Sequence, residues 1–333
     1  MTKPVSARTL RPTPRNLALL ARKLRAGELV AAPTETVYGL AANALDAKAC
    51  RGIFRAKRRP ANDPLIVHLY AAKQLPEVCR PNDSARRLAA AFWPGPLTLV
   101  LPKTDAIPAI VTAGKDSVAV RVPAHRVFRQ LLKLSGLPLA APSANPFGYV
   151  SPTSAAHVRQ GLGERIGFIL DGGECPIGLE STIVDLRDEA TPRLLRPGAV
   201  TREQLEAVLG RKVEVVKRHI PVASDRAQVA PGMLTRHYSP RTPVELHATL
   251  SVDDAAYAPR EAFLFLQAPA GRRPRNVFSL DTRGDLRRAA RGLFAALRRL
   301  DEGSFARIHV ELAPGDGIAD AINDRLRRAA AKR

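Results

Sequence analysis

Hydrophobic residues in the first 200 positions fall into short runs that alternate with amphipathic stretches. Runs such as ELVAAP (28–33), PLIVHLY (64–70), LTLVLP (97–102) and STIVDL (181–186) are apolar and bounded by Pro, Gly or Asp, which predicts strands. Segments such as ALLARKLRAG (18–27) carry helical spacing and end at a glycine. The pattern therefore predicts an α/β domain of roughly 200 residues, a common domain size.

The segment PTETVYGL (33–40) follows the first of these predicted strands and precedes the small-residue run AANALDA (41–47). We interpret it as a junction between a strand and a helix. Such junctions hold anionic ligands in many α/β proteins. The segment is not one of the common phosphate loops, so its role has to be inferred from the rest of the chain.

The hydrophobic pattern weakens after a capped helix at 201–210, and residues 219–240 are polar and punctuated by Pro and Gly, which predicts a linker. Strand-like runs then alternate again with helical ones, which predicts a small domain with a largely parallel sheet. The basic, Pro-containing start of the chain (1–16) lacks the apolar core of a secretory signal and is predicted to be a flexible lead-in. The predicted division is a catalytic domain at 12–212, a linker at 213–240 that acts as an active-site lid, and a small α/β domain at 241–333.

Composition narrows the class of protein. Of 333 residues, 45% are hydrophobic and 25% charged, as in ordinary globular proteins, and no run of about 18 apolar residues predicts a membrane span. Cys50, Cys79 and Cys175 lie far apart, which argues for a reducing cytoplasm and against a disulfide framework or a cysteine-rich zinc site. The net charge of +21, most of it in residues 1–240, favours a nucleotide or nucleic-acid ligand, although a merely Arg-rich surface explains it equally well.

Several common catalytic signatures are absent from the sequence. There is no P-loop, no H-E-x-x-H metal motif and no G-x-S-x-G nucleophile elbow. GLGERIG (161–167) is one residue too long for a dinucleotide fingerprint and precedes a strand instead of following one. The remaining candidates are loops rich in hydroxyl, amide and guanidinium groups at strand ends, and each of them alone is a weak signal.

Taken together and in order, these loops are specific. PTETVYGL, KRRPANDPLIVH, WPGPLT, RVPAH, APSAN, GLESTIVDL and LRPG resemble the YrdC-type threonylcarbamoyl-AMP synthases, and PGMLTRHYSP followed by an α/β domain resembles the long, two-domain form of that family. The resemblance implies a YrdC-like twisted open sheet with a large basic cavity, followed by a smaller Rossmann-like α/β domain.

The same resemblance implies a reaction in which L-threonine, bicarbonate and ATP, with Mg²⁺, give threonylcarbamoyl-AMP and pyrophosphate in the cytoplasm. A partner tRNA threonylcarbamoyl transferase then uses the product to modify adenosine 37 of tRNAs that read ANN codons. Contact with RNA is a possible further property, and no membrane partner is expected. No acid, base or covalent nucleophile is assigned, because positioning and cationic stabilisation suffice for attack on the α-phosphate.

The family motifs assign two groups of binding residues. The residues expected to bind ATP are Lys57, Arg59, Asp63, Ser117, Ser143, Asn145, Ser151, Arg196, Tyr238 and Ser239. The residues expected to bind L-threonine are Thr34, Thr36, His68, Arg121, Ala141 and Ser181. Tyr38 and Leu40 are assigned to packing beneath the site, Mg²⁺ is expected to arrive with ATP without an assigned protein ligand, and Glu35 has no assigned role.

Two positions depart from the family pattern. Arg58 stands where the family usually has Gly between the Lys and Arg of its K-x-R motif, and Asn62-Asp63 replaces a plain Asn before Pro-Leu. A carboxylate at Asp63 beside ATP is unfavourable unless a cation compensates it. The expected compensating cation is Arg58 or Mg²⁺.

Two other functions are open at this point. The basic concavity could hold structured RNA without catalysis, although an aromatic content of 5% offers few stacking platforms for single strands. A carbamoyltransferase acting on another nucleophile is the second. RNA binding alone does not require a threonine pocket next to a K-x-R motif (57–59) and an S-x-N motif (143–145).

Overall fold

Two β-sheets organise the chain in the computed structural model, which describes residues 6–216, 227–232 and 237–331. The first sheet has 11 strands and the second has 4. None of the described helices combines the length and the apolar character that crossing a bilayer requires.

The strands of the first sheet are β1 (Arg8–Leu10), β2 (Val30–Pro33), β3 (Tyr38–Asn43), β4 (Ile66–His68), β5 (Leu97–Pro102), β6 (Ser117–Arg121), β7 (Leu139–Ala140), β8 (Phe168–Leu170), β9 (Thr182–Asp185), β10 (Arg193–Arg196) and β11 (Glu214–Val215). Those of the second are β12 (Val244–His247), β13 (Ala262–Gln267), β14 (Val277–Asp281) and β15 (Ile308–Glu311). The α-helices are α1 (Pro14–Arg25), α2 (Ala47–Lys57), α3 (Leu75–Val78), α4 (Asp83–Phe92), α5 (Arg126–Ser135), α6 (Ala155–Leu162), α7 (Arg202–Leu209), α8 (Val252–Tyr257), α9 (Leu286–Glu302) and α10 (Ile318–Ala329), and a 3₁₀ turn (Ala72–Gln74) precedes α3.

The first sheet is mixed and runs in the order β1-β8-β2-β3-β7-β4-β6-β5-β9-β10-β11. Strand β2 is buried on both faces, since its Ala31 packs into one apolar cluster while Val30 and Ala32 pack into another. Parallel pairing of β4 with β6 sets His68 directly beside Arg121 at the ends of these strands. The register of this pair therefore brings together two residues that the sequence separates by more than 50 positions.

The interpretation of PTETVYGL as a strand-to-helix junction is wrong. Residues 34–37 form the turn of a β-hairpin, in which β2 and β3 pair antiparallel from Val30↔Ala41 to Pro33↔Tyr38. The first three residues of AANALDA, 41–43, belong to β3. At Gly39 of the same strand the backbone lies close to its neighbour, since an added Cβ would lie 3.1 Å from the Cβ of Ala141. Helix α2 begins later, where Asp46 caps its first turn. Tyr38 and Leu40 are fully buried, as expected.

The described part of the predicted flexible lead-in is also ordered, contrary to our expectation. β1 pairs parallel with β8, and Thr13 caps α1 by accepting a hydrogen bond from Asn16 N, with Pro14 at the first helical position. This strand lies just ahead of residue 12, the predicted start of the catalytic domain. Local apolar content gave no signal for β1, because a three-residue strand is stabilised by its partner and not by its own periodicity.

The second sheet is wholly parallel in the order β12-β15-β13-β14, in agreement with the prediction of a largely parallel sheet. One face packs against α9 and α10. These two helices also contact the first domain: Arg298 of α9 donates to Val150 O at 2.5 Å, and Arg325 of α10 donates to Glu180 Oε2 at 3.1 Å. The small domain is thereby attached next to the predicted ATP loops.

Candidate active site

The hairpin turn between β2 and β3 presents two buried hydroxyl groups. Thr34 Oγ1 donates to Val37 O at 2.7 Å and accepts from Thr36 N and Val37 N, so the side chain closes the turn. Thr36 Oγ1 lies 2.8 Å from Thr34 Oγ1. Both side chains line a small cavity. The turn therefore holds its hydroxyls rigidly, which suits recognition of a small polar ligand.

Arg121, at the end of β6, lies beside this turn and is almost fully buried. Its three guanidinium nitrogens bond to Gly95 O (3.1 Å, from Nε), Thr36 Oγ1 (3.0 Å, from Nη1) and Glu35 Oε1 (2.5 Å, from Nη2). Each terminal nitrogen carries two N–H groups, so capacity for a further carboxylate remains. The guanidinium is thus fixed in place, which is the property expected of the group that binds the threonine carboxylate.

Glu35, which had no role in the sequence interpretation, is the counter-ion of Arg121. Its side chain is 6% exposed, and Oε2 has no hydrogen-bond partner among the described residues. Burial raises the pKa of this carboxyl, but the charge and hydrogen bond of Arg121 more than offset it, so the pKa of Glu35 is held below its usual value. The pair is ionised, and Glu35 cancels a charge that would otherwise be buried alone.

His68, at the end of β4, completes this side of the cavity. Its ring packs edge-to-face on Phe128 with 5.4 Å between centroids. Burial, assisted by the charge of Arg121, lowers the pKa of His68 to about 3. The imidazole is therefore neutral at physiological pH.

The neutral state of His68 predicts an acid-dependent loss of stability. Above about pH 6.5 the ring is neutral in both the folded and the unfolded chain; between about 6.5 and about 3 the unfolded chain takes up a proton that the folded chain excludes. We expect the free energy of unfolding, measured with urea, to lose about 1.4 kcal/mol from this residue at one pH unit below 6.5. In the variant His68→Gln the fall between pH 7.5 and 5.5 should be smaller by that amount; an identical fall would contradict the assignment.

Ser181 lies between the residues predicted to bind threonine and those predicted to bind the phosphates. Its hydroxyl lies 2.7 Å from Thr98 Oγ1 and accepts from Arg196 Nη2 at 3.1 Å, while Arg196 Nε donates to Ser181 O at 3.0 Å. Arg196 is buried at the end of β10 and also lines the cavity. Ser181 therefore connects the predicted threonine side to the predicted phosphate side.

Lys57 and Arg59 of the K-x-R motif are both buried but differ in position. Arg59 lines the cavity, whereas Lys57 lies behind it and donates to Ser143 O and Asn145 O, the latter at 2.5 Å. Burial, followed by the charge of Arg59, lowers the pKa of Lys57 well below its usual value. In this structure Lys57 fastens the S-x-N loop to the end of α2, and Ser143 of that loop reaches the cavity wall.

Asp63 is compensated by Arg59 and not by Arg58, which corrects one of our two expectations for this carboxylate. Arg59 Nη2 lies 2.9 Å from Asp63 Oδ2, and Arg59 also donates to the carbonyls of Asp63 and Pro64. Burial raises the pKa of Asp63, and Arg59 opposes that rise. Arg58 is exposed and adopts the left-handed conformation (φ 53°, ψ 43°) that ends α2. Glycine suits that conformation, which explains why the family pattern has it there.

Glu180 is a buried residue that the sequence interpretation overlooked. Its carboxylate accepts from Ser151 Oγ at 2.5 Å and from Arg325 Nε at 3.1 Å, and it borders the cavity. Ser151, expected to contact ATP, thus binds the residue that ties the two domains together. The GLEST motif contains Glu180 directly before Ser181, so the signal was present but unassigned.

The linker covers the cavity where it is described. Pro231, Gly232, His237 and Tyr238 line it, while residues 217–226 and 233–236 of the predicted linker lie outside the described part of the chain. Tyr238 is fully buried, stacks on Phe294 at 5.4 Å and receives the guanidinium of Arg328 at 4.8 Å from its ring centre. Burial, then the charge of Arg328, lowers the pKa of His237 well below its usual value.

The structure gathers ten of the sixteen predicted ligand residues around one cavity. They are Thr34, Thr36, Arg59, His68, Arg121, Ala141, Ser143, Ser181, Arg196 and Tyr238. The other six do not line it: Lys57, Asp63, Ser117, Asn145, Ser151 and Ser239. Its volume is about 40 Å³, far below the large cavity expected, and residues of the linker form part of its lining. A larger space of about 950 Å³ lies between α7 and α10, and of the predicted residues none lines it.

Comparison with known proteins agrees with this architecture. A Sua5/YciO/YrdC family model, described as telomere recombination, matches residues 22–198, and a model described as the threonylcarbamoyl-AMP synthase C-terminal domain matches residues 200–331. The chain is 42% identical to the threonylcarbamoyl-AMP synthase of Pyrococcus abyssi over 319 residues (93% of this chain and 92% of that one). It is also 42% identical to that of Bacillus subtilis over 334 residues (95% and 93%).

Solved structures agree as well. The crystal structure of P. abyssi Sua5 in complex with L-threonine matches with a TM-score of 0.86 at 40% identity, covering 97% of this chain and 96% of that one. A P. abyssi Sua5 variant in which a histidine and a tyrosine are replaced by alanine matches with a TM-score of 0.87 at 38% identity and the same coverage. The chain therefore belongs to the threonylcarbamoyl-AMP synthase family, in its long two-domain form.

Proposed function

We propose that this chain condenses L-threonine, bicarbonate and ATP into threonylcarbamoyl-AMP and releases pyrophosphate. The observation that carries the proposal is the arrangement of one cavity, lined by buried side chains, with Arg121 and the hydroxyls of Thr34 and Thr36 on one side and Arg59 and Arg196 on the other. Cationic groups suited to a carboxylate and to a polyphosphate therefore border the same cavity, which has to widen before both substrates fit, and Ser181 contacts Arg196 between the two groups. RNA binding alone does not require such a two-sided buried site.

The threonine side recognises a small amino acid through fixed groups. Arg121 supplies N–H donors for the carboxylate of threonine. The hydroxyls of Thr34 and Thr36 in the turn between β2 and β3 (the hydroxyl turn) supply hydrogen-bond partners for the other polar groups of the amino acid. Ala141 and His68 line the same wall and limit its size. Because these side chains are already held by their neighbours, little conformational entropy is lost when threonine binds.

The phosphate side supplies positive charge close to the reacting phosphorus. In the proposed sequence, the amine of threonine is carboxylated to a carbamate, and a carbamate oxygen attacks the α-phosphorus as the bond to pyrophosphate breaks. Arg59 and Arg196 would stabilise the charge that accumulates on the phosphate oxygens. This chemistry requires accurate positioning and exclusion of water from the labile carbamate; His237 and Tyr238 of the lid provide the exclusion.

The residues near Arg59 offer Mg²⁺ no free carboxylate on the cavity wall. Mg²⁺ bound to a nucleotide takes most of its ligands from phosphates and water and one or two from carboxylates. Asp63, the buried carboxylate next to Arg59, is ion-paired with Arg59 and does not line the cavity, so we assign no protein ligand and Mg²⁺ would be held by the ATP phosphates and water. When bound, the ion would neutralise phosphate charge.

We also propose the cellular context and the division of the chain. The product is a mixed anhydride that serves a tRNA threonylcarbamoyl transferase acting on adenosine 37, in the cytoplasm. The catalytic domain spans residues 12–212 together with β1, the lid spans 213–240, and the small domain spans 241–333. The guanidinium of Arg325 in the small domain forms an ion pair with Glu180 of the first domain and also lies over the ring of Tyr238 in the lid. These contacts support a role for the small domain in anchoring the lid.

The reaction is tested by following pyrophosphate release from the purified full-length chain with ATP, Mg²⁺, bicarbonate and L-threonine. We expect release to fall to background when either threonine or bicarbonate is omitted, and mass spectrometry to detect threonylcarbamoyl-AMP. Glycine in place of threonine is the matched control for the hydroxyl turn and should support little release. Equal release without threonine would make the chain a simple ATP pyrophosphohydrolase and would overturn the proposal.

A further inference from the structure

A cluster of histidine and glutamate side chains lies on the second sheet, on the face opposite α9 and α10. Glu245 and His247 are two positions apart on β12 and so point to the same face. His309 of the neighbouring strand β15 is paired directly with Glu245 in the parallel register. One potential ligand atom from each of these three residues lies within 4.8 Å of the other two.

Two side chains hold the ring nitrogens of His309. Its Nε2 lies 2.6 Å from Glu261 Oε2, and an N–H on this nitrogen donates to the carboxylate. Its other nitrogen, Nδ1, lies 2.8 Å from His247 Nε2. The ring of His309 is further held by parallel stacking on Phe263, with 4.5 Å between centroids and 16° between planes.

Proteins commonly orient a metal-binding histidine by a carboxylate that accepts from one ring nitrogen while the other ring nitrogen faces the metal, and Glu261 and His309 have this arrangement. We propose that Glu245, His247 and His309 form a binding site for a divalent transition metal of the Zn²⁺ class, with Glu261 orienting His309. Two imidazole nitrogens with one carboxylate favour Zn²⁺, Ni²⁺ or Cu²⁺ over Mg²⁺ and Ca²⁺, which prefer all-oxygen ligands.

Metal binding needs small rearrangements here. For a metal to bind both imidazoles, the one proton between the two nitrogens has to leave that position, either to Nδ1 of His247 or to solvent, so that His247 Nε2 and His309 Nδ1 each offer a lone pair. Metal–nitrogen bonds of 2.0–2.1 Å in a tetrahedral site set the two nitrogens roughly 3.3 Å apart, so the present 2.8 Å must open by about 0.5 Å. β12 is an edge strand, and the His247 side chain is 31% exposed, so this side chain has room to rotate.

The positive charge of Arg307 lies next to the proposed ligands and weakens binding of a cation. Its Nη1 forms an ion pair with Glu245 Oε2, and its Nε lies 3.9 Å from Glu261 Oε1. A divalent cation has to displace this guanidinium from Glu245 and tolerate its charge nearby. Removal of Arg307 should therefore strengthen metal binding, an effect opposite to that of removing a ligand.

The site is tested by calorimetric titration of the full-length, chelator-treated chain with Zn²⁺ alone. We expect saturable binding of one ion, weakened at least about 10-fold by His247→Ala and about 10- to 100-fold by Glu261→Gln, and strengthened by Arg307→Ala. His157→Ala, which removes a half-buried histidine on α6, is the control and should bind as the parent does. Because His309 is mostly buried, His247 is the primary ligand variant, and circular dichroism checks that it folds.

Three outcomes overturn the proposal: no saturable Zn²⁺ binding by the parent chain, parent-like affinity in His247→Ala, or equal loss in His157→Ala. Threonylcarbamoyl-AMP formation by His247→Ala should equal that of the parent chain, since the cluster lies on the far side of α9 and α10 from the cavity. The outcome of the Zn²⁺ titration therefore does not depend on whether the proposed reaction is correct.

Discussion

Replacing Glu35 by Gln is expected to destabilise the free protein by about 3 kcal/mol and to make it more dependent on threonine. The amide cannot cancel the charge of Arg121, which stays buried with its bonds to Thr36 and Gly95. The carboxylate of bound threonine would restore that missing charge. Threonine should therefore stabilise Glu35→Gln by more than it stabilises the parent chain, as measured by urea unfolding with and without the amino acid.

The matched control is Glu174→Gln. Glu174 also pairs with an arginine, Arg291, but its side chain is 73% exposed, so its loss should cost no more than about 1 kcal/mol and leave the threonine effect unchanged. An equal threonine effect in Glu35→Gln and in the parent would show that Arg121 does not bind the substrate carboxylate.

Replacing Arg59 by Ala is expected to lower turnover by about 100-fold or more, the loss typical when a preorganised donor to a developing oxyanion is removed. Arg59 borders the cavity and also holds the loop before β4 through Asp63 and Pro64. Its removal therefore has a structural as well as a catalytic effect. The double variant Arg59→Ala/Asp63→Asn separates the two, because it also removes the buried carboxylate that would be left unpaired. We expect the double variant to regain stability but not turnover in the pyrophosphate assay.

Arg58→Ala is the control for charge alone. The neighbouring side chain is exposed at the end of α2, so its removal should change turnover by no more than about two-fold. Recovery of turnover in the double variant would mean that Arg59 acts solely by shaping the loop.

The sequence predicted most strands and helices from local periodicity and the family from the order of its loops. It failed where a short segment depends on a partner. β1 is recognisable only beside β8, and the small residues of β3 resembled the start of a helix although the strand pairs with β2 and its Gly39 lies close to Ala141. The hydrophobic pattern of a segment indicates which of its side chains are buried, but it does not indicate which strand or residue packs against them.

For the candidate site, the sequence by itself determined which residue types gather at the strand ends: hydroxyls at Thr34 and Thr36, and guanidinium groups at Arg59 and Arg121. The tertiary structure decided their partners. Glu35 reaches Arg121 across 86 positions, and Glu180 reaches Arg325 across 145. Whether a buried charge acts on a substrate or on another side chain depends on which opposite charge the fold places within about 3 Å. That distance is a property of the packed chain, and no spacing within the sequence encodes it.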